Sequence, residues 1–159
     1  MQGSGRSDPG DVAAPTAGGA AAEPVDARGR SVLLIEDNEQ NRYLVTFLLE
    51  RHGYEVVSVP DGPGAIGLTR ELVPERAPHL ILLDIQLPIM DGYEVARALR
   101  TRAVLRKTPI VAVTSHAMVG DRERALAAGC NGYIEKPIDP QTFIVEVERC
   151  CADFVEAAP

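Results

Sequence analysis

Tryptophan is absent from the 159 residues, aromatic side chains make up only 4%, and cysteine occurs three times. Cys130, Cys150 and Cys151 leave one thiol over in any pairing scheme and do not have zinc-ligand spacing. That argues against a disulfide scaffold and a structural zinc site, and the expectation is reduced thiols in a cytoplasmic protein. Cys150 and Cys151 read as helix residues rather than as a redox pair. Positive charge is also scarce, with 16 Lys plus Arg against 23 Asp plus Glu and a net charge of −7. A domain-wide nucleic-acid surface is therefore not expected. No apolar run approaches the roughly 20 residues that cross a membrane, so no membrane partner is expected either. Lysine is the scarcest charge, with Lys107 and Lys136 standing against fourteen arginines.

Residues 1 to 30 lack leucine, isoleucine and aromatic side chains. Such a segment cannot bury enough apolar surface to offset its ordering entropy, so it reads as a disordered tail. Gly18, Gly19 and Pro24 break its alanines, which removes the continuous apolar core of a signal peptide. The whole chain is 45% hydrophobic, and the rest is long enough for one domain. The expected domain spans 31–152, with a short tail over 153–159.

That domain is organised around Leu80-Ile81-Leu82-Leu83, which runs straight into Asp84. An apolar run without alternation reads as a strand buried on both faces, which implies a parallel sheet covered by helices. Val32–Ile35 is a similar strand ending in Glu36-Asp37. Asn38 suits the N-cap of a helix reaching Arg51, with Tyr43, Leu44, Phe47, Leu48 and Leu49 as its apolar face. Tyr54–Val59 is the next strand, followed by a glycine-weakened helix from Asp61 to about Val73. A helix opening at Gly92 turns Val95, Ala98 and Leu99 inward. Ile110–Val113 is a strand ending in Thr114, and a helix over about Met118 to Ala128 stops at Gly129. Gly132–Glu135 is the last strand, ending in Lys136-Pro137, and a helix from about Pro140 to Cys151 buries Phe143, Ile144 and Val147. Five strands alternating with five helices make an α/β, doubly wound, five-stranded parallel sheet.

Four strands end in a polar side chain that an apolar strand does not need. In a parallel sheet those ends share one edge, where open α/β sheets bind ligands. Alone, Asp84 could equally be a strand terminator or a cap. Glu36, Asp37 and Asp84 in one crevice repel by roughly 4 kcal/mol per pair at ~4 Å and an effective dielectric near 20. Either one is protonated or a divalent cation sits among them, and oxygen ligands suit Mg²⁺. Lys136 and the Thr114 hydroxyl are the donors a phosphoryl group would use.

Glu36-Asp37, Leu-Leu-Asp84-Ile-Gln-Leu-Pro88, Asp91-Gly92, Val-Ala-Val-Thr114-Ser115 and Lys136-Pro137 resemble the receiver domain of two-component response regulators. The resemblance covers about residues 31 to 152, is closest to single-domain, chemotaxis-regulator-like receivers, and implies a flavodoxin-like sheet of strand order 2-1-3-4-5. It makes Asp84 the phosphoacceptor, and Asp37 with Asp84 the Mg²⁺ ligands. It makes Glu36 a companion acid working through water, and Gln86 a ligand through its backbone carbonyl. Thr114 and Lys136 then bind phosphoryl oxygens, and Tyr133 is the aromatic switch residue responding to Thr114. The Lys136–Pro137 bond is expected to be cis. Ser115 stands where alanine is common and would slightly narrow access. His116 is read as an exposed loop residue without a catalytic role.

The function implied is that of a signalling switch, not a metabolic enzyme. A histidine kinase or histidine phosphotransfer protein is the expected donor, and a downstream protein is expected on the face of helix 4, strand 5 and helix 5. A monomer, or a weak phosphorylation-dependent dimer, is expected. So few residues follow Lys136 that no effector domain is expected, although a receiver from a hybrid kinase or a phosphorelay intermediate would read alike. An aspartyl-phosphate phosphatase of the haloacid-dehalogenase type needs a second aspartate two residues after the nucleophile, where this chain has Gln86.

Overall fold

The computed structural model describes residues 29–116 and 118–157. The tail expected over 1–30 lies, except for its last two residues, outside that range. The sheet has five parallel strands, β1 (Arg30–Ile35), β2 (Tyr54–Val59), β3 (Leu80–Asp84), β4 (Ile110–Thr114) and β5 (Gly132–Glu135), in the order 2-1-3-4-5. Five helices alternate with them: α1 (Glu39–Arg51), α2 (Gly62–Thr69), α3 (Gly92–Arg100), α4 (Asp121–Ala128) and α5 (Phe143–Ala157). Short 3₁₀ turns occupy Pro74–Arg76 and Ala103–Leu105.

Side chains alternate across the pleat, so each strand feeds two cores. Val32, Leu34, Leu80, Leu82, Val111 and Val113 meet α1 and α5. Leu33, Ile35, Ile81, Leu83, Ile110 and Ala112 face the side of α2, α3 and α4. All five residues of β3 are buried. Each of its apolar side chains contributes about 1.5–3 kcal/mol relative to an exposed one. That central position is what holds the Asp84 backbone still.

The helices start on side chains from the site edge. The Asn38 side chain accepts from Asn41 N at 2.9 Å, and Asp61 accepts from Gly64 N at 2.7 Å. Asp91 forms a capping box with Glu94, each side chain accepting from the other's backbone N–H at 2.9 Å.

Several boundaries and faces depart from expectation. On α1 the buried residues are Val45, Leu48 and Leu49, while Tyr43 is 74% and Phe47 45% exposed. The helix docks on the stripe that meets the sheet, and its widest apolar residues lie beside it. Helix α2 ends at Thr69, short of the expected Val73, which is extended just before Pro74. In α3 it is Tyr93 and Ala96, not Ala98, that join Val95 and Leu99 in the core. Helix α4 starts at Asp121 rather than Met118, since Gly120 takes a φ of +93° that no helix continues. Helix α5 begins at Phe143 and runs past Cys151 to Ala157, through most of the expected C-terminal tail. The peptide between Lys136 and Pro137 is cis.

Candidate functional site

The carboxyl ends of β1, β3, β4 and β5 bring Glu36, Asp37, Asp84, Thr114 and Lys136 to one edge of the sheet. Glu36, Asp84 and Thr114 are each only 3% exposed, whereas Asp37 faces solvent. Carboxylate oxygens of Glu36, Asp37 and Asp84 lie within 4.8 Å of one another. Lys136 Nζ donates to Glu36 Oε2 at 2.7 Å and to Asp84 Oδ2 at 3.1 Å. One ammonium thus stands between two buried carboxylates. Glu36 pairs directly with Lys136.

Backbone geometry completes the cradle. Gln86 N donates to Asp84 Oδ1 at 2.9 Å, and Asn38 N donates to Glu36 Oε1 at 3.1 Å. Arg42 reaches back to the Glu36 carbonyl at 2.9 Å, anchoring the turn from β1 into α1. After Pro88 the chain doubles back sharply, with Met90 N donating to the Pro88 carbonyl at 2.7 Å around Ile89 at φ +71°. A positive φ at a β-branched residue is strained. The return brings Gly92 against the strand end, where a Cβ would sit 2.5 Å from the Asp84 carbonyl oxygen and from Ile85 Cα. Only glycine fits, because the obstacle is backbone.

Charge is unbalanced in this pocket. Burial chiefly raises the Asp84 pKa to about 6, with Glu36 adding to the rise while the Gln86 N–H and Lys136 oppose it. Burial alone would lower the Lys136 ammonium. Its hydrogen bond to Glu36 and the charges of Asp84 and Glu36 outweigh that, and its pKa moves up. Two carboxylates share one cation, and a third lies beside them. Such a donor set fits a hard divalent cation: three carboxylates of suitable spacing, one of them exposed to supply an open, hydrated side.

At the rim, His116 N donates to Thr114 Oγ1 at 3.2 Å, and Tyr133 OH donates to the His116 carbonyl at 3.4 Å. The Gln86 side-chain amide meets His116 Nδ1 across the opening. His116 is exposed and touches three of the residues named from sequence. Ser115 is exposed. Tyr133 is half-buried and packs against the core shared by α2, α3 and α4. Sequence reasoning also missed Arg42, and it did not foresee the close packing of Gly92 against the end of β3. Gly92 was legible as a helix opener and as part of the receiver motif, but its contact partner is eight residues away around a turn.

A five-stranded 2-1-3-4-5 sheet with an acidic trio and a lysine at its carboxyl edge defines a class, and the chain belongs to the response regulator receiver domain family, whose model matches residues 32–148. Among its relatives is the polar-differentiation response regulator DivK of Brucella anthropi, 43% identical over 124 residues, which cover 78% of this chain and 98% of the relative. The chemotaxis response regulator CheY4 of Vibrio cholerae superposes with a TM-score of 0.70 at 27% identity, covering 76% of this chain and 98% of that one. The receiver domain of the sensor histidine kinase PA1611 of Pseudomonas aeruginosa gives 0.67 at 36% identity, covering 78% and 98%. That structure has a magnesium ion coordinated in its active-site cleft.

Proposed function

We propose that this receiver domain works as a single-domain response regulator, accepting a phosphoryl group on Asp84 and signalling through a phosphorylation-dependent protein interaction. The observation that carries the reading is the ammonium of Lys136 held between Glu36 and Asp84 at the end of the central buried strand. The donor is the phosphohistidine of a histidine kinase or phosphotransfer protein. A carboxylate oxygen of Asp84 attacks phosphorus, the new O–P bond forms, and the P–N bond breaks with its electron pair returning to the imidazole. Lys136 then exchanges its Asp84 partner for a phosphoryl oxygen, and the Thr114 hydroxyl donates to another. Asp37, Asp84, the Gln86 backbone carbonyl and Glu36 are the residues that would hold Mg²⁺, which supplies compensation for phosphoryl charge.

Movement of Thr114 toward that charge would disturb its contact with the His116 backbone, and with it the Tyr133 hydroxyl. That links the phosphate to the face of α4, β5 and α5, where a target protein would bind. The similarity to DivK along nearly its whole length supports the stand-alone reading. A receiver belonging to a sensor kinase is the second reading, favoured by the 36% identity to the PA1611 domain. No helix among the described residues is long and apolar enough to cross a membrane, and we place the protein's action in the cytoplasm with its donor.

Incubation with a small phosphoryl donor and Mg²⁺ should add one acid-labile, hydroxylamine-sensitive phosphate per chain. Equal labelling in the presence of chelator, or steady turnover of a phosphate ester in place of stoichiometric labelling, would remove this reading.

A further inference from the structure

The pole of the sheet opposite Asp84 holds a second concentration of charge that the phosphoryl chemistry does not use. The strands enter the sheet there, and α5 brings its last turns to the same place. Between them lies a cavity of about 260 Å³, with Arg30, His79 and Lys107 among its lining residues and Leu80, Phe154 and Val155 giving it an apolar wall. In a chain of net charge −7 with two lysines, one lysine serves the acidic site and the other stands here. Among the described residues, neither Arg30 nor Lys107 forms an ion pair with a carboxylate. Glu148 lies close enough to act on Tyr54 and Cys151, as Arg30 does with opposite sign, yet it does not pair with that guanidinium.

His79 is fixed in a way that suits an anion. Its Nδ1 accepts the Ser31 backbone N–H at 3.0 Å, which makes Nε2 the protonated nitrogen and hence a donor. A purely structural role for the cations would be to face the negative end of α5, whose last turn carries no basic side chain. That end amounts to about half a unit of charge. Two full cations exceed it, and it does not explain a cavity with an apolar wall.

We propose that this cavity binds a small amphipathic anion, a carboxylate on a short aryl or alkyl body. The carboxylate sits between Arg30 and Lys107 with the His79 Nε2–H as a further donor, and the body lies on Phe154, Leu80 and Val155. At about 30 Å³ for each water displaced, the space equals roughly nine waters, the size of a phenylalkanoate rather than a nucleotide or a lipid. Because β1, β2, β3, the loop before β4 and α5 all contribute, occupancy ties the end of α5 to the entry edge of the sheet.

The test is titration of the full-length protein with 4-phenylbutyrate, followed by NMR shifts at Tyr54, His79, Lys107 and Phe154. The neutral alcohol 4-phenylbutan-1-ol and plain acetate are the controls. Saturable shifts at this pole are expected, with phenylbutyrate binding at least about tenfold more tightly than either control. Lys107→Gln, at an exposed position that leaves the core intact, and Arg30→Gln should each weaken it about tenfold or more. Equal binding of the alcohol would reduce the site to an apolar crevice, and equal binding of acetate to bare charge. Either result, wild-type affinity in both variants, or no saturation by about 10 mM would overturn the proposal.

Discussion

Lys136 and Arg100 are both cations held in from solvent, and their partners differ in kind. Arg100, at the end of α3, donates among the described residues only to neutral acceptors: the carbonyls of Gly129 at 2.8 Å, Leu105 at 2.9 Å and Thr108 at 2.7 Å, and the Asn131 side chain. Asn131 in turn accepts from Ile110 N at 3.0 Å. This guanidinium stitches α3, the 3₁₀ turn after it, the entry of β4 and the loop from α4 to β5. Among the described residues, Lys136 has two carboxylates and no neutral partner in its hydrogen bonds. A cation satisfied by fixed carbonyls has nowhere better to go and holds the fold. A cation among surplus carboxylates leaves negative charge uncompensated, so the site is destabilised until a further cation joins it.

Four experiments would break or sharpen that contrast. The largest effect is expected from Asp84→Asn, which should abolish acid-labile phosphate incorporation altogether. The same change should raise stability at pH 7.5 by about 2 kcal/mol, because it removes a buried charge that Lys136 only half offsets. Urea denaturation without metal measures the second part, and a loss of stability would contradict it.

Lys136→Arg comes next. The guanidinium keeps the charge but is planar and broader, so it cannot place one compact donor between Glu36 and Asp84 or on a phosphoryl oxygen. Phosphate should still be incorporated, while the phosphorylation-induced NMR shifts at Tyr133 and in α4 should largely vanish. Shifts of wild-type size would show that only charge matters there.

At Arg100 the consequence should appear in folding, not chemistry. Arg100→Ala leaves several half-buried carbonyls without donors and should cost about 3–4 kcal/mol. Phosphate incorporated per folded molecule should stay the same, and a drop in it would blur the separation between the two regions. Gly129 is locked to this clamp: at φ +104° a Cβ would fall 2.7 Å from Arg100 Cγ.

The smallest effect is a pH dependence. The folded protein holds the Asp84 proton more tightly than the unfolded chain does, with a pKa of about 6 against an ordinary 3.8. Its stability contribution is therefore fully present below about pH 3.8 and lost as pH rises through about 6. The gap between Asp84→Asn and wild type should be full at pH 7.5 and close as pH falls toward 4. A gap that widens on acidification would reverse the assigned cause.

The convergence at the carboxyl edge was legible because it is written in residue types at strand ends. Asp84 follows four apolar residues, and Thr114 and Lys136 follow two further strands, so alternation of elements was enough to predict convergence. The Arg100 clamp was not legible. Its partners are mostly backbone carbonyls, which every residue has, and they lie 5 to 29 residues away in sequence. Tyr43 and Phe47 misled for a related reason. Helical period shows that an apolar stripe exists, but which part of it faces the sheet depends on how the helix rolls when it docks.

What the chain's own residues determined is therefore the parallel sheet, the alternation of strands and helices, and the identity of the groups on its carboxyl edge. Those follow from local periodicity and from the rule that parallel strands align their ends. Tertiary structure alone decided the partners: that Lys136 bridges Glu36 and Asp84, that Arg100 finds carbonyls, and that three basic residues from separate elements surround one cavity. Those contacts join positions up to 100 residues apart. They depend on distances of a few ångströms that no pattern of residue types encodes, because each is set by how helices and loops settle onto the sheet.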